Sequence, residues 1–445
     1  MQRAPNLRAA RAQTDKRLHS VTLIWQFSIM RLPHLLIAAA SAALPIPALA
    51  AAPPEQAVQS ARSEEQRAPI TILVSIDGFR PDYLDRGITP VLSQMAAEGV
   101  RASMIPSFPT KTFPNHNAVA TGLRPDHNGI VGNNMVDPED PKHSFWMGSQ
   151  EPEWWDGADQ IWITAEKAGI RTATQFWPGT TVKANGLYPT DWHQFSVDIG
   201  TRQRVDAIID WARRPTENRP QFMILYIESV DSAGHDFGPF APETDEEVAV
   251  VDSQIGRLRD ALAEMGQPAN IVIVSDHGMG PTSADRVIPL YRQLDGIGVP
   301  IEEGAYSSIN PVPGKDAELS ALLLEPHEHM ECWPKAEIPA RFEYGTHPRV
   351  PDYVCLAESG WIIRAKPPRP DAKQMKDGGT HGWDNLDPDM RATFIANGPA
   401  FRSGVTLPDF DNVDVNPLLR EVLGLPQDRS LDGDLEPLGG ALRQD

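Results

Sequence analysis

The sequence predicts an α/β protein with a mostly parallel central sheet, helices on both faces of that sheet, and insertions at the edge that carries the active site. Three observations indicate this class. Continuous apolar runs alternate with amphipathic segments, as in buried parallel strands joined by helices. The chain has 445 residues, 41% of them hydrophobic and 22% charged, which is enough for one large core. Several apolar runs end in aspartate, at the place where open parallel sheets bind their ligands.

The predicted elements follow one another in chain order. The run at 70–76 is continuous and rich in β-branched residues, which predicts a strand buried on both faces. Thr89 is a favourable N-cap, Pro90 suits the first helical position and Gly99 suits a helix end, so a helix is predicted between them. Further along, strands are predicted in "RPQFMILYIESV", "ANIVIVS" and "RATFIANGP", and helices in "DEEVAVVDSQIGRLRDALAEMG" and "VNPLLREVLGL".

Two stretches interrupt this alternation. Residues 130–200 are rich in tryptophan and turn residues, and residues 285–380 carry prolines between short extended runs. Because neither continues the strand–helix pattern, both are predicted to be insertions that build walls around a site. We divide the chain into an N-terminal extension with a signal peptide (1–50), a linker (51–68), a single large domain (69–435) and a tail (436–445).

The N-terminal residues resemble an export signal. From Met30 a short basic region is followed by an apolar run and a small-x-small cleavage pattern that ends at Ala50. Pro45 and Pro47 interrupt the run, which is shorter than the roughly 20 residues of a membrane-spanning helix. We therefore expect a periplasmic or secreted protein, cleaved near Ala50, without a stable membrane anchor. The true start, Met1 or Met30, stays open.

The net charge and the cysteine content exclude several classes of protein. The formal net charge of −20 repels the phosphate backbone, so no nucleic-acid polymer is expected as a partner. An anionic small molecule would need local positive charge, which bound metal ions supply. Two cysteines are too few for a disulfide scaffold or a cysteine-rich zinc site. In an exported protein Cys332 and Cys355 could form one disulfide, and two separate buried thiols fit the sequence almost as well.

Aspartates follow three of the predicted strands, and histidines accompany them. One such aspartate alone would usually cap a helix or lie in a turn. Three of them favour a shared site, because the carboxyl ends of parallel strands meet at one edge of a sheet. The candidate ligands are Asp77, Asp231, His235, Asp276, His277 and His381.

This ligand set points to metal ions. Carboxylates and imidazoles without a thiolate suit Zn²⁺ or another first-row divalent ion. Six ligands exceed the three protein ligands of a single catalytic zinc. They fit two ions about 3.5–4 Å apart, which stabilise the attacking and leaving oxygens of a displacement at phosphorus.

The stretch "SFPTKTFPNHNAVATG" at 107–122 offers a nucleophile. It leads into a predicted helix or turn, whose N-terminus favours an anion. A threonine hydroxyl must be activated before it attacks, and a neighbouring metal ion can do this without a histidine base. Thr110 or Thr112 could take this role, or could only cap the helix. The sequence has no G-x-S-x-G motif that would indicate a serine hydrolase.

The motifs together resemble those of a known family. "SIDGFRPDYL", "FPTKTFPNHNAVATGLRPDHNGIVGN", "DSAGHDFGP", "SDHGM" and "THGWDN", in this order, are similar to the motifs of the nucleotide pyrophosphatase/phosphodiesterase family of the alkaline phosphatase superfamily. "PEWWDGADQIWITAEKAGIRTATQFWPG" matches the segment which that family carries between them. The resemblance runs from about residue 71 to about residue 425. It implies an alkaline phosphatase-like fold and a phosphodiesterase catalytic domain of the single-domain type found in bacteria.

The resemblance also implies roles for individual residues. Thr112 occupies the position of the nucleophile, and Asn133 that of an asparagine which hydrogen-bonds a non-bridging phosphate oxygen. Phe113 matches an aromatic residue that stacks on the nucleotide base. Phe195 lies near a second stacking position, for which Trp192 is an equal candidate. The resemblance assigns Asp77, Thr112, Asp276 and His277 to one Zn²⁺ ion, and Asp231, His235 and His381 to the other.

The activity implied by the resemblance is a zinc-dependent cleavage of nucleotide pyrophosphate or phosphodiester bonds. It passes through a covalent threonyl-nucleotide and releases a nucleoside monophosphate. One alternative is a phosphodiesterase that removes phospholipid or glycerophosphodiester head groups. A further alternative is a non-catalytic metal-binding protein that kept the fold. Lys111 and His116 have no assigned part and are expected to be structural. The oligomeric state stays open.

Overall fold

The computed structural model describes residues 67–369 and 375–444. They belong to one compact unit, Glu65–Asp445. The expected signal peptide at 1–50 and nearly all of the expected linker at 51–68 lie outside the described residues. Within the described part of the chain, no helix has the length and apolar character needed to cross a membrane.

The helices and strands are numbered in chain order. The helices are α1 Pro90–Glu98, α2 Thr112–Thr121, α3 Pro125–Asn128, α4 Ile161–Lys167, α5 Thr201–Ala212, α6 Ser229–Phe237, α7 Pro242–Glu264, α8 Tyr291–Leu294, α9 Asp316–Leu323 and α10 Val415–Val422. The strands are β1 Ile70–Ile76, β2 Val100–Ile105, β3 Met135–Val136, β4 Ser144–Phe145, β5 Thr172–Gln175, β6 Asp191–His193, β7 Phe222–Ile227, β8 Ala269–Val274, β9 Gly280–Thr282, β10 Val287–Ile288, β11 Gly298–Glu302, β12 Tyr306–Pro311, β13 Met330–Pro334, β14 Tyr353–Ala357, β15 Ile362–Ile363, β16 Gly378–Thr380, β17 Ala392–Asn397, β18 Val405–Thr406 and β19 Phe410–Asp411.

A mostly parallel sheet forms the centre of the fold, which confirms the predicted fold class. Its order is β18-β2-β17-β8-β1-β7-β5-β6, with β19 also paired to β2. Strand β1 lies between β7 and β8 and pairs in parallel with both. Strand β17 is antiparallel to both of its neighbours, β2 and β8. The carboxyl ends of β1, β7 and β8 therefore meet at one edge of the sheet.

Both faces of the sheet are covered by helices. All seven residues of β1 are buried, because successive side chains point to opposite faces and each face has its own apolar cluster. Leu73 belongs to the cluster that contains residues of α2, α4 and α10. Ile72 and Val74 belong to the cluster that contains residues of α1, α5 and α7.

The structure differs from the expectation at two places. The second half of 130–200 is not an insertion, because β5 pairs in parallel with β7, and β6 with β5. This half therefore completes the central sheet, and only its first half, with the β3–β4 hairpin, lies outside it. The segment 436–445, expected to be a tail, contains a short 3₁₀ helix whose Leu438 and Ala441 are buried in the apolar cluster of Leu73.

The stretch 285–380 builds a second sheet. Its strands have the order β11-β12-β14-β13, and all of them are antiparallel. Cys332 and Cys355 face each other in the β13–β14 pair and are joined by a disulfide. Of the two arrangements that the sequence left open, the structure has the paired one.

Candidate active site

The aspartates that follow the central strands converge. Asp77 comes directly after β1, Asp276 lies just beyond β8, and Asp231 stands in the first turn of α6, after β7. The ligand atoms of Asp77, Asp276 and His277 lie within 4.8 Å of one another, and so do those of Asp231, His277 and His381. The structure thus brings five of the candidate ligands into two adjoining groups, with His277 in both.

His235 lies beside the second group, not within it. Its Nε2 is 3.4 Å from Oδ2 of Asp231, and its ring centroid is 5.1 Å from that of His381. Its position on α6, one turn after Asp231, places both side chains on one face of the helix.

The three candidate histidines share one hydrogen-bonding arrangement. Each ring directs its Nδ1 at a backbone carbonyl and its Nε2 at the aspartates, which is the arrangement typical of metal-ligating histidines. The Nδ1 contacts are His235 with the oxygen of Gly379 (2.9 Å), His277 with that of Gly278 (2.9 Å) and His381 with that of Thr110 (2.7 Å).

The aspartate oxygens at this site lack donors and so fit metal ions. Oδ1 of Asp77, Oδ1 of Asp231 and Oδ2 of Asp276 are buried and have no hydrogen-bond partner among the described residues. Oδ2 of Asp276 lies 2.9 Å from Nε2 of His277. Because Nδ1 of that ring donates to a carbonyl, Nε2 of the neutral ring carries a lone pair. Two acceptors that face each other at this distance need either a shared proton or a metal cation between them.

The pKa shifts express the same excess of negative charge. Burial, together with repulsion from Asp276 and Asp231, raises the pKa of Asp77 well above its usual value. Burial and the charge of Asp231 raise the pKa of Asp276 to about 8. Burial holds the pKa of His381 well below its usual value, which keeps the imidazole in the neutral, ligating form. Divalent cations would reverse the cost of ionising these carboxyl groups.

Thr112, the predicted nucleophile, stands at the first position of α2. Its Oγ1 is 3.4 Å from Nε2 of His277. Thr110 points elsewhere, since its hydroxyl donates to the carbonyl of Trp383 at 2.9 Å. Neither hydroxyl caps the helix, because the N-cap residue is Lys111 and the cap has no side-chain hydrogen bond. Of the two threonine hydroxyls, the structure therefore places only that of Thr112 beside the candidate metal ligands.

Asn133 lies next to the N-terminus of α2. Its Oδ1 accepts a hydrogen bond from the backbone N–H of Phe113 at 2.9 Å. Its Nδ2 makes no hydrogen bond to another described residue, so both amide N–H donors remain for a ligand. This is the chemistry that a phosphate oxygen requires.

The predicted stacking residues occupy different surroundings. Phe113 is 9% exposed and packs against Phe145 and Trp155, with ring centroids 5.8 and 6.0 Å away. Phe195 is 42% exposed, and its ring centroid is 6.2 Å from that of Tyr226, whose hydroxyl bonds Asp77.

Trp192, the other candidate, is 39% exposed and stacks on Tyr188 with centroids 5.7 Å apart. No ring contact joins Trp192 to a candidate metal ligand or its direct partner among the described residues. The structure thus links Phe195, but not Trp192, to the metal site through a single ring.

Sequence reasoning missed one contributor to the site and left two without a role. The missed contributor is Tyr226, a polar residue inside the apolar strand β7, whose hydroxyl donates to Oδ2 of Asp77 at 2.6 Å. His116 lies within hydrogen-bonding distance of Oγ of Ser75 and the carbonyl of Thr112, both at 2.8 Å, and burial lowers its pKa to about 3.

Lys111 lies in the site itself. Its ammonium group donates to the carbonyl of His381 at 3.3 Å, and burial lowers its pKa. His116 therefore supports the helix that carries the threonine, and Lys111 joins that helix to the loop of His381.

Comparison with known proteins identifies the family. Residues 71–384 match the family model described as type I phosphodiesterase/nucleotide pyrophosphatase. An uncharacterized pyrophosphatase/phosphodiesterase of Schizosaccharomyces pombe is 36% identical over 80% of this chain and 77% of its own length. The bis(5'-adenosyl)-triphosphatase of Xenopus laevis is 35% identical over 80% of this chain and 78% of its own length. The human ectonucleotide pyrophosphatase/phosphodiesterase family member 1 is 34% identical, and the match spans only 40% of its length.

Solved structures agree with the sequence comparison. Human ectonucleotide pyrophosphatase/phosphodiesterase 5 superposes with a TM-score of 0.79 and 31% identity, over 84% of this chain and 100% of that chain. An inactive variant of the murine protein, in complex with AMP, has the same TM-score and coverage and is 33% identical. The chain therefore belongs to the type I phosphodiesterase/nucleotide pyrophosphatase family of hydrolytic enzymes, in the alkaline phosphatase superfamily.

Proposed function

We propose that the protein is an exported, zinc-dependent hydrolase that cleaves nucleotide pyrophosphate or phosphodiester bonds through a covalent threonyl-nucleotide and releases nucleoside monophosphates. One observation carries this proposal: buried carboxylate oxygens without hydrogen-bond donors face histidine Nε2 atoms beside the hydroxyl of Thr112. That combination is suited to hold cations and to present an oxygen nucleophile to an anionic substrate.

Two Zn²⁺ ions are the cofactors we propose. Zinc held here would lower the pKa of the threonine hydroxyl and offset the charge of the phosphate. The side chains that would hold one ion are Asp77, Thr112, Asp276 and His277, and those that would hold the other are Asp231, His235 and His381. Carboxylates, neutral imidazoles and an alkoxide are ligands that zinc accepts.

The residues of this chain divide the reaction between them. The deprotonated Oγ1 of Thr112 forms a bond to phosphorus while the bond to the leaving oxygen on the opposite side breaks. Nδ2 of Asn133 donates to a non-bridging oxygen, where negative charge accumulates during the displacement. Water then cleaves the bond between Oγ1 and phosphorus, which restores Thr112 and releases the monophosphate.

The base of the nucleotide is proposed to lie between aromatic side chains. Phe113 follows the nucleophile directly, and Phe195 presents an exposed face near Tyr226. Stacking between two rings accepts any base, because every base has a π-face. A relative that binds AMP supports a nucleoside monophosphate as product. We propose no nucleic-acid polymer as a partner, in keeping with the net charge of −20.

Hydrolysis of a p-nitrophenyl nucleotide ester by the zinc-loaded protein tests this function. Thr112→Ala should abolish turnover and leave most of the metal bound. Inhibition by AMP and not by phosphocholine is expected, and the reverse pattern would favour lipid head groups. Failure of the wild-type protein to release nucleotide from any ester while it holds two zinc ions would refute the proposal.

Export is a separate proposal. We propose that the protein acts in the periplasm or outside the cell, after cleavage near Ala50, with a catalytic domain that begins near residue 69. The expression of the whole chain in a bacterium, followed by fractionation and N-terminal sequencing, checks this. A mature protein that begins within a few residues of Ala51 is expected, whereas an uncleaved protein in the cytoplasm contradicts it.

A further inference from the structure

Glu302 is the last residue of β11. No sequence motif marks it, and it is not one of the candidate metal ligands. It is 6% exposed. We propose that Glu302 is a positioning residue, which acts through Asn134 to hold Asn133 in the orientation that a substrate phosphate requires. This inference rests on the proposed function, since that function gives Asn133 its contact with phosphate.

Both carboxylate oxygens of Glu302 accept hydrogen bonds from the same residue, Asn134. Oε1 accepts from the backbone N–H of Asn134 at 2.6 Å, and Oε2 accepts from its Nδ2 at 3.1 Å. Hydrogen bonds to an ionised carboxylate are about twice as strong as those between neutral groups. Both the main chain and the side chain of Asn134 are thereby fixed from the second sheet.

Asn133 is held between two such contacts. On one side its Oδ1 accepts from the N–H of Phe113 at 2.9 Å. On the other side, the N–H of the peptide bond that joins it to Asn134 donates to Oε1 of Glu302. The preceding Gly132 leaves no slack, because a Cβ there would lie 2.9 Å from the carbonyl oxygen of Asn134 and 3.2 Å from the hydroxyl of Tyr306. Because this hydrogen bond holds Oδ1, the direction of the free Nδ2 in the same planar amide is fixed as well.

The hairpin of β11 and β12 is itself tied down near the nucleophile. The hydroxyl of Ser307 donates to the carbonyl of Glu302 at 2.8 Å, and Nζ of Lys111 lies 5.8 Å from the ring centroid of Tyr306. The same hairpin thus contacts the loop of Asn133 and the segment that carries Thr112.

The neighbouring Glu303 provides a matched control. It belongs to the same hairpin, and its Oε2 also accepts from two backbone N–H groups, those of Ala365 and Lys366, at 3.0 and 2.9 Å. Neither of these lies in the loop of Asn133. Glu303→Ala therefore also removes two backbone hydrogen bonds to the hairpin, without touching the residues that carry the proposal.

A double-mutant cycle on the zinc-loaded enzyme tests the proposal. Glu302→Ala should lower kcat/KM for a p-nitrophenyl nucleotide ester by roughly 10–100-fold, as a misplaced catalytic donor does. Glu303→Ala should stay within about 3-fold, and Glu302→Ala should add little to Asn133→Ala, because both remove the same contact. Effects that add in full, or an equal loss in Glu303→Ala, would overturn it.

Hydrogen exchange at the amide of Asn134 keeps the inference separate from the proposed function. Exchange in the peptide that contains residues 131–135 should be faster in Glu302→Ala than in the wild type or Glu303→Ala. If the wild type cleaved no nucleotide ester, the proposed function would fail. Even then, faster exchange in Glu302→Ala would support the claim that Glu302 restrains the loop of Asn133. Unchanged exchange would overturn that claim.

Discussion

The hydroxyl of Tyr226 donates to Oδ2 of Asp77 at 2.6 Å, across the parallel pair of β7 and β1. Burial and the neighbouring Asp77 raise the pKa of Tyr226 well above its usual value, so the phenol keeps its proton. With Oδ2 occupied by this donor, Oδ1 is the oxygen of Asp77 that remains for a metal ion. Tyr226 thus orients a candidate ligand without being one.

Tyr226→Phe should weaken zinc binding, because the carboxylate of Asp77 loses its orienting donor. Loss of such a partner typically costs about 10–100-fold in metal affinity. Titration against a chelator of known affinity measures the change. Tyr83→Phe is the matched control, since the hydroxyl of Tyr83 is buried without a hydrogen-bond partner among the described residues. Equal zinc affinity in the wild type and Tyr226→Phe would contradict this role.

His277→Ala should lose more metal than His235→Ala. Nε2 of His277 is buried 2.9 Å from Oδ2 of Asp276, whereas His235 is half-exposed and lies beside its ligand group, not within it. The metal content after dialysis against a fixed zinc buffer distinguishes the two variants. We expect His235→Ala to retain at least one ion per chain, and His277→Ala to retain less. The opposite order would show that His235 contributes more to metal binding than the buried His277.

The strands of this fold that were predictable from sequence are those that are both buried and apolar. Strands β1, β7 and β8 are continuous apolar runs in the sequence because helices cover both faces of the sheet at these strands. β5, with the sequence "TATQ", is equally buried, but its threonines and glutamine carry no apolar signal. Its place in the sheet is decided by its pairing with β7, which is a tertiary contact.

The same limit applies to the site. The convergence of the candidate metal ligands was predictable because each follows a strand or lies in a short motif, so position along the chain implies position in space. The partners of these residues are remote: Tyr226 and Asp77 are 149 residues apart, and Glu302 and Asn134 are 168 apart. Nothing local marks them, and only the packing of the sheets brings them together.

Replacement of the two threonines should separate the nucleophile from its structural neighbour. Thr112→Ala removes the attacking oxygen and should lower kcat by at least about 10³-fold, whereas Thr112→Ser keeps the oxygen and should retain measurable turnover. Thr110→Ala loses one hydrogen bond, to the carbonyl of Trp383, and should cost about 1 kcal/mol of stability. Burst kinetics and thermal unfolding measure the two effects. A dead Thr110→Ala that remains folded would contradict the assignment.

Substitution of the two aromatic candidates should show which of them contacts the base. Phe195→Ala removes a ring that lies next to Tyr226, and stacking on a base contributes about 1–3 kcal/mol. It should therefore raise KM for a p-nitrophenyl nucleotide ester and leave KM for bis-p-nitrophenyl phosphate, which has no base, nearly unchanged. Trp192→Ala should change KM for neither substrate. A selective effect of Trp192→Ala would reverse this preference.

Asp414→Asn should stabilise the protein at neutral pH. Asp414 is 6% exposed at the N-cap of α10, its Oδ1 accepts from the N–H of Asp434 at 2.9 Å, and burial raises its pKa to about 6. The folded protein therefore binds this proton more tightly than the unfolded chain. The resulting stability is complete below about pH 4 and is lost as the pH rises through about 6.

Asparagine keeps the hydrogen-bond acceptor and removes the buried charge. The free energy of unfolding of the variant should therefore exceed that of the wild type above about pH 6, by about 1–3 kcal/mol, and the difference should vanish near pH 4. Urea unfolding of both proteins between these pH values measures it. Asp85→Asn is the control of opposite sign, because its hydrogen bond with Arg101 lowers the pKa of Asp85. That variant should lose a little stability at neutral pH and none in acid. If Asp414→Asn is less stable than the wild type at pH 7, its carboxylate is stabilised by the N-terminus of α10 more than burial costs it.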